Sequence, residues 1–411
     1  MTSRRLFLKS GAMAMLSLGF APSFVGRAAA AATSRRKLLI AIFQRGAVDG
    51  LNMVVPYGEA SYYALRRSIA IARPGQAGGA IDLNGFFGLH PAAAPLEPLW
   101  DNRSLAVVHA CGSSAATRSH FDAQDYMESA TPGVKSTRDG WLNRYLQAST
   151  DASTPPGSSR NPLRGVAVTR QMPRTLQGRA PSLAVGSVEE FRVRGDMRGR
   201  SVEAMYASDR LLGTAAADAF EAMRTLRAAT GGAYTPAAGA AYPRSPFGQA
   251  LQEIARIAKA DVGLEVAFAE SGNWDHHVNE GGATGQMANR LGDLTQGIAA
   301  LATDLGERMA DTVIMTMSEF GRAAAENGNG GTDHGHGNAL FVAGGNVKGG
   351  VYGRWPGLGE QQRFEGRDLA VTTDFRDVFS EVVAGHLGAS RDALARVFPG
   401  HSAHERLGII G

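Results

Sequence analysis

The chain has 411 residues, 44% hydrophobic and 19% charged, a globular composition long enough for one large domain or two moderate ones. Arg4, Arg5, Lys9 and Arg27 account for the formal charge of +4, so the remainder is balanced, which argues against a nucleic-acid partner. Cys111 is the single cysteine, so an intrachain disulfide and a multi-thiolate metal site are excluded, and any metal takes N and O ligands.

The N-terminus reads "TSRRLFLKS", then "GAMAMLSLGFAPSFV", then "GRAAAAATS". A basic start, a short apolar run and a small-residue tail predict a signal peptide over residues 1–32, cleaved after Ala30 or Ala32. The apolar run is short for a membrane span. Adjacent Arg4 and Arg5, followed by Phe7, Leu8 and Lys9, resemble the twin-arginine export signal. The expected partner is therefore the twin-arginine translocase. The mature protein is expected to be exported, periplasmic or extracellular, without a membrane span.

Seven apolar runs follow: "KLLIAIFQRG" from Lys37, "SLAVVHACG" from Ser104, "GVAVT" near Gly165, "PSLAVG" near Ser182, "GLEVAFAES" near Gly263, "DTVIMTMSEFG" near Thr312 and "NALFVAGG" from Asn338. Each is short and ends in polar or glycine-rich sequence, as strands buried on both faces do. Between them, Met287, Leu291, Leu294, Ile298, Leu301 and Leu305 fall at steps of four and three, one face of an amphipathic helix. "DFRDVFSEVVAGHLG" is a second helix, capped by Thr373 or Asp374 and closed by Gly388. The alternation predicts an α/β fold in three layers, a mostly parallel sheet flanked by helices. Residues 33–411 are read as one domain, with a helical, alanine-rich insertion at about 188–260.

In such sheets, sites form where loops leave the carboxyl ends of strands. Asp49 follows the first run. Ser119, His120, Asp122 and Asp125 follow the second. Asp275, His276 and His277 follow "GLEVAFAES", Glu319 closes "VIMTMSE", and Asp333, His334 and His336 precede the last strand. A lone Asp or His after a strand is usually a turn or capping residue. Five segments converging on one edge predict a shared site for one or two divalent ions: imidazole with carboxylate suits zinc or manganese, and oxygen ligands suit magnesium or calcium.

The segments "RGAVDGLN", "TRSHFDAQDYME", "WDHH", "SEFGR" and "GTDHGHGN" resemble those of the DUF1501 family of exported bacterial proteins, from about Lys37 to the C-terminus. That family is similar to the alkaline phosphatase and sulfatase superfamily, so the resemblance implies an alkaline phosphatase-like fold. It implies metal ligands at Asp49, Asp275, His277, Glu319 and His336, and a nucleophile at Ser119 or Thr117. Where the superfamily carries Asp-His after a late strand, this chain reads Glu319-Phe320, and His334 is the candidate to replace the missing imidazole.

The resemblance thus implies an exported, metal-dependent hydrolase of phosphate or sulfate esters, acting on a small molecule or a polymer. Ser119 would attack, and Arg118, Arg45 or Arg322 would clamp the oxyanion. Ser119 also reads as a helix N-cap, with Asp122 three residues on, and each arginine as a structural ion pair. The missing histidine at Phe320 equally fits an exported binding or structural protein with a degenerate site. An exported redox metalloprotein is a third reading, without a haem or copper motif to carry it.

Overall fold

The structure is a computed structural model that describes residues 36–149, 161–187, 213–402 and 406–411, with side chains in the third stretch described from 221 onward. The predicted leader and residues 188–212 of the expected insertion lie outside the described residues.

In chain order the strands are β1 (Leu38–Gln44), β2 (Val54–Val55), β3 (Ile81–Asp82), β4 (Gly88–Leu89), β5 (Leu105–Gly112), β6 (Gly165–Ala167), β7 (Leu183–Ala184), β8 (Val266–Ser271), β9 (Thr312–Met317), β10 (Asn338–Gly344), β11 (Gly350–Tyr352) and β12 (Thr373–Asp374). All seven apolar runs are therefore strands. The helices used below are α1 (Gly50–Met53), α2 (His120–Ser129), α3 (Trp141–Ala148), α4 (Gly213–Ala229), α5 (Pro246–Lys259), α6 (Gln286–Leu305) and α7 (Phe375–Gly385).

One strand shows why the fold has three layers. In β1, Leu38, Ile40 and Ile42 belong to one buried apolar cluster, and Leu39, Ala41 and Phe43 belong to another. Alternate side chains of a strand point to opposite faces, so both faces of the sheet are covered. The first cluster is completed by α5 and by the predicted stripe of α6, Met287 to Leu305. The second is completed by Trp141 and Leu142 of α3 and by Phe375, Val378, Phe379 and Val382 of α7. Asp374 caps α7, accepting from Arg376 N at 2.9 Å, and the helix stops at Gly385, before the predicted Gly388. Within the expected insertion, α4 and α5 are helices joined by a loop, and α5 lies in the layer that covers the sheet.

The main sheet runs β11-β5-β10-β9-β1-β8-β6-β7, with β12 also beside β5, and β2-β4-β3 form a small antiparallel sheet. Pairings in the main sheet are parallel except those of β10, which runs antiparallel to both β5 and β9. The chain leaves β9 at its carboxyl end and re-enters β10 at the same edge, so no crossover is needed. Asn338, at the start of β10, pairs with Cys111 near the end of β5. The segment before β10 thus joins the segments that follow β1, β5, β8 and β9. Among the described residues no helix is long and apolar enough to cross a membrane.

Candidate metal centre

His120 is the first residue of α2, directly after the loop that leaves β5. Asp275 and His277 follow β8, and His334 precedes β10. Their ring and carboxylate atoms meet at one point. His120 Nε2 lies 3.0 Å from His334 Nε2, His334 Nε2 lies 3.2 Å from Asp275 Oδ1, and His120 Nε2 lies 3.5 Å from Asp275 Oδ1. These three residues form the group that could hold a metal ion. His277 Nε2 joins from the solvent side, 2.9 Å from His334 Nε2 and 3.0 Å from Asp275 Oδ1.

The opposite nitrogen of each ring decides the charge at that point. His334 Nδ1 sits 2.9 Å from the carbonyl oxygen of Arg118, which can only accept, so Nδ1 carries the hydrogen. His120 Nδ1 donates to Glu319 Oε1 at 2.7 Å, and His277 Nδ1 faces Asp333 Oδ1 at 3.3 Å. When the rings are neutral, each Nε2 therefore presents a bare lone pair, and these lone pairs converge with a carboxylate oxygen. Such an arrangement repels itself. One proton relieves one pair, whereas a multivalent cation relieves all of them. Ligands bonded at about 2.0–2.1 Å in a tetrahedral shell sit about 3.3–3.4 Å apart, close to the separations here. Histidine ligands whose other nitrogen donates to a carboxylate or carbonyl are the usual form of such sites.

The surroundings hold the rings in place. Glu319 is buried, and its Oε1 accepts from His120, from Gly46 N at 2.9 Å and from Gln124 Nε2 at 2.9 Å. Burial raises the Glu319 pKa, and the hydrogen bonds, that of His120 foremost, bring it below the ordinary value. The bond to Glu319 raises the His120 pKa against burial. Burial likewise pushes the Asp275 carboxyl up, and Arg322 foremost, with His277 and His120, more than offsets this, bringing it down to about 2. Burial leads in lowering His334. Phe320, where an imidazole was missing, packs its ring 4.9 Å from that of His120 and 5.0 Å from that of His334. It walls the site and packs against both rings.

Glycines admit the loops. Gly46 has φ +114, and a Cβ there would lie 2.8 Å from Asp275 N. A Cβ on Gly335, inside "GTDHGHGN", would lie 2.2 Å from the carbonyl carbon of Arg322.

Several candidates take other places. Asp49 is buried, caps α1 and pairs with buried Arg66, whose Nη2 donates to Oδ1 at 3.0 Å. It answers a guanidinium and is not in the converging group. Glu319 stands behind His120: Oε1 takes three donors, Oε2 accepts from Ser318 Oγ at 3.2 Å, and it is not in the converging group. His336 is buried with its ring stacked 4.4 Å from Phe364, and it also stays outside the group.

Each of the three arginines proposed as an oxyanion clamp is already engaged. Buried Arg322 donates to the carbonyls of Ala47, Thr332, Gly46 and Trp274 and, at 2.6 Å, to Asp275 Oδ1. Arg118 holds Asp368 at 2.6 Å and Glu365 at 2.8 Å. Arg45 bridges Glu128 and Glu270, each at 2.9 Å.

Ser119 is exposed at the N-cap of α2, makes no capping bond with its side chain, and among the described residues its hydroxyl has no hydrogen-bond partner. Thr117 Oγ1 accepts from Ser119 N at 3.2 Å and shapes this turn. The member of the converging group that the sequence did not single out as a candidate ligand is His120. Its signal was its place immediately after a strand-end loop, beside a serine that fitted the nucleophile position.

Fold and site together define an α/β domain with a His/Asp cluster at the carboxyl edge of a mostly parallel sheet. The chain belongs to the DUF1501 family, described as "Protein of unknown function (DUF1501)", which matches residues 105–388. No curated protein matches it. Among solved structures it is similar to the PsFucS1 sulfatase from Pseudoalteromonas sp., at 13% identity and a TM-score of 0.38, over 95% of this chain and 78% of that one. A likeness of that size says nothing about the chemistry of this chain.

Proposed function

We propose that this protein is an exported, metal-dependent hydrolase of phosphate or sulfate esters, with one divalent ion held by His120, Asp275 and His334. The carrying observation is the convergence of His120 Nε2, His334 Nε2 and Asp275 Oδ1, with each ring's Nδ1 turned to an acceptor. Imidazole-rich sets favour zinc or manganese over magnesium or calcium. An ion there supplies Lewis acidity toward a phosphoryl or sulfuryl oxygen. Glu319 and the Arg118 carbonyl fix the rings, Arg322 fixes Asp275, and Ser119 offers a free hydroxyl as nucleophile. Export rests on the twin-arginine leader and is tested by whether Arg4→Lys with Arg5→Lys retains the protein in the cytoplasm.

A second reading has its own observation. With His277 as a fourth ligand the shell is filled, as in structural metal sites, and the protein binds rather than catalyses. Metal analysis of leader-free protein after reconstitution decides whether the ion exists: less than about 0.2 ions per chain overturns both readings. Turnover of aryl phosphates and aryl sulfates, lost in Ser119→Ala, supports the hydrolase. Metal at full occupancy, with no turnover in wild type or in His277→Ala, favours the filled shell.

A further inference from the structure

With the three expected arginines engaged, a free cation near the metal centre has to be sought elsewhere. A cleft of about 630 Å³ opens beside Asp275 and is lined by Asn273, His276, Asn289, Arg290 and Asp293. That volume suits a small molecule. Arg290, in the first turns of α6, is half-buried, and no hydrogen bond or ion pair engages it among the described residues. His276 on the same lining is buried, and among the described residues its Nδ1 has no hydrogen-bond partner. The positive end of α6 adds to the field, since Gly285 caps it without a side-chain bond.

We infer that this cleft is the anion subsite of the protein and that Arg290 is its clamp. The inference rests on the metal centre proposed above. Among the lining residues Arg290 is the one cation beside Asp275 and Asp293, and Arg322 already answers Asp275 from behind, so the site is close to neutral without an ion and becomes net positive with a divalent one. Anion binding should therefore require the metal. A guanidinium suits a tetrahedral oxyanion through paired N–H donors. The other lining groups are amides, carboxylates and an imidazole, which fit a hydroxyl-rich organic part of the ligand rather than an apolar one.

The experiment titrates inorganic phosphate and sulfate into full-length mature protein by calorimetry, with metal content measured first. Wild type loaded with manganese should bind at least one of the anions, and metal-free protein should not. Arg290→Gln should weaken the affinity about 10- to 100-fold at unchanged metal content, with partial recovery in Arg290→Lys. A sugar phosphate should bind more tightly than phenyl phosphate. Loaded wild type that binds neither anion, or Arg290→Gln that binds like wild type, overturns the assignment and leaves the metal centre standing. Tighter binding of phenyl phosphate overturns the hydroxyl-rich ligand. Protein that takes up no metal instead removes the reading beneath the inference, so the two failures are distinct.

Discussion

Replacing Glu319 by glutamine tests whether the buried carboxylate tunes a metal ligand. Three donors reach Glu319 Oε1: His120 Nδ1 at 2.7 Å, Gly46 N at 2.9 Å and Gln124 Nε2 at 2.9 Å. Glutamine can keep an oxygen at that position. Its new NH₂ then takes the place of Oε2, which faces Ser318 Oγ at 3.2 Å, a hydroxyl able to accept. The change therefore removes a charge while preserving shape and hydrogen bonds. Without that charge the His120 ring is less basic. Loss of such a supporting carboxylate costs about 10- to 100-fold in metal affinity, or about 1.4–2.7 kcal/mol. Competition with a chromophoric chelator at pH 7.5 measures this, and thermal unfolding reports the fold. Glu319→Gln and His120→Ala that both bind metal within about twofold of wild type would refute the reasoning, because neither the carboxylate nor its histidine would then touch the ion.

Two further predictions concern groups away from the centre. Asp49 is paired with buried Arg66, so Arg66→Ala should destabilise by about 3–5 kcal/mol in chemical denaturation, whereas Asp49→Asn should leave metal content near that of wild type; metal loss in Asp49→Asn with an intact fold would return Asp49 to the ligand set. Burial alone lowers the His109 pKa from 6.5 to about 4, with the ring stacked 4.6 Å from Phe87. The folded state therefore favours neutral His109. Its contribution is full above pH 6.5 and is lost as the pH falls from there toward 4, on the order of 3 kcal/mol in all. His109→Phe should flatten the stability–pH slope by about 1.4 kcal/mol per pH unit across that window, and an unchanged slope would contradict the assignment.

The strands were legible because burial on both faces leaves continuous apolar runs, and the α6 stripe was legible because its spacing is helical. The direction of β10 was not, since an apolar run reads the same in either sense. That direction places His334 at the edge reached by His120 and Asp275. His334 stood out through its crowded glycine loop, whereas His120 was hidden beside Ser119. The roles of the arginines were out of reach for a different reason. Whether a guanidinium is free or engaged depends on carbonyls and carboxylates distant in the chain: Arg322 is held by Ala47 and Gly46, and Arg118 by Asp368. Arg290, with no such partner among the described residues, carries no mark in the sequence.

The reversed strand has a consequence for assembly. His120 and His334 are separated by 214 positions, and β10 must insert between β5 and β9 before their nitrogens meet. A fragment ending just before β10 carries all three side chains of the centre but not the strand that sets His334 beside His120, so with β10 undocked the three would stand apart. Tight capture of an ion would then report that the last interior strand is in place. Metal occupancy would serve as a proofreading mark for completed folding, and release of the ion on heating should coincide with the loss of β10 rather than precede it.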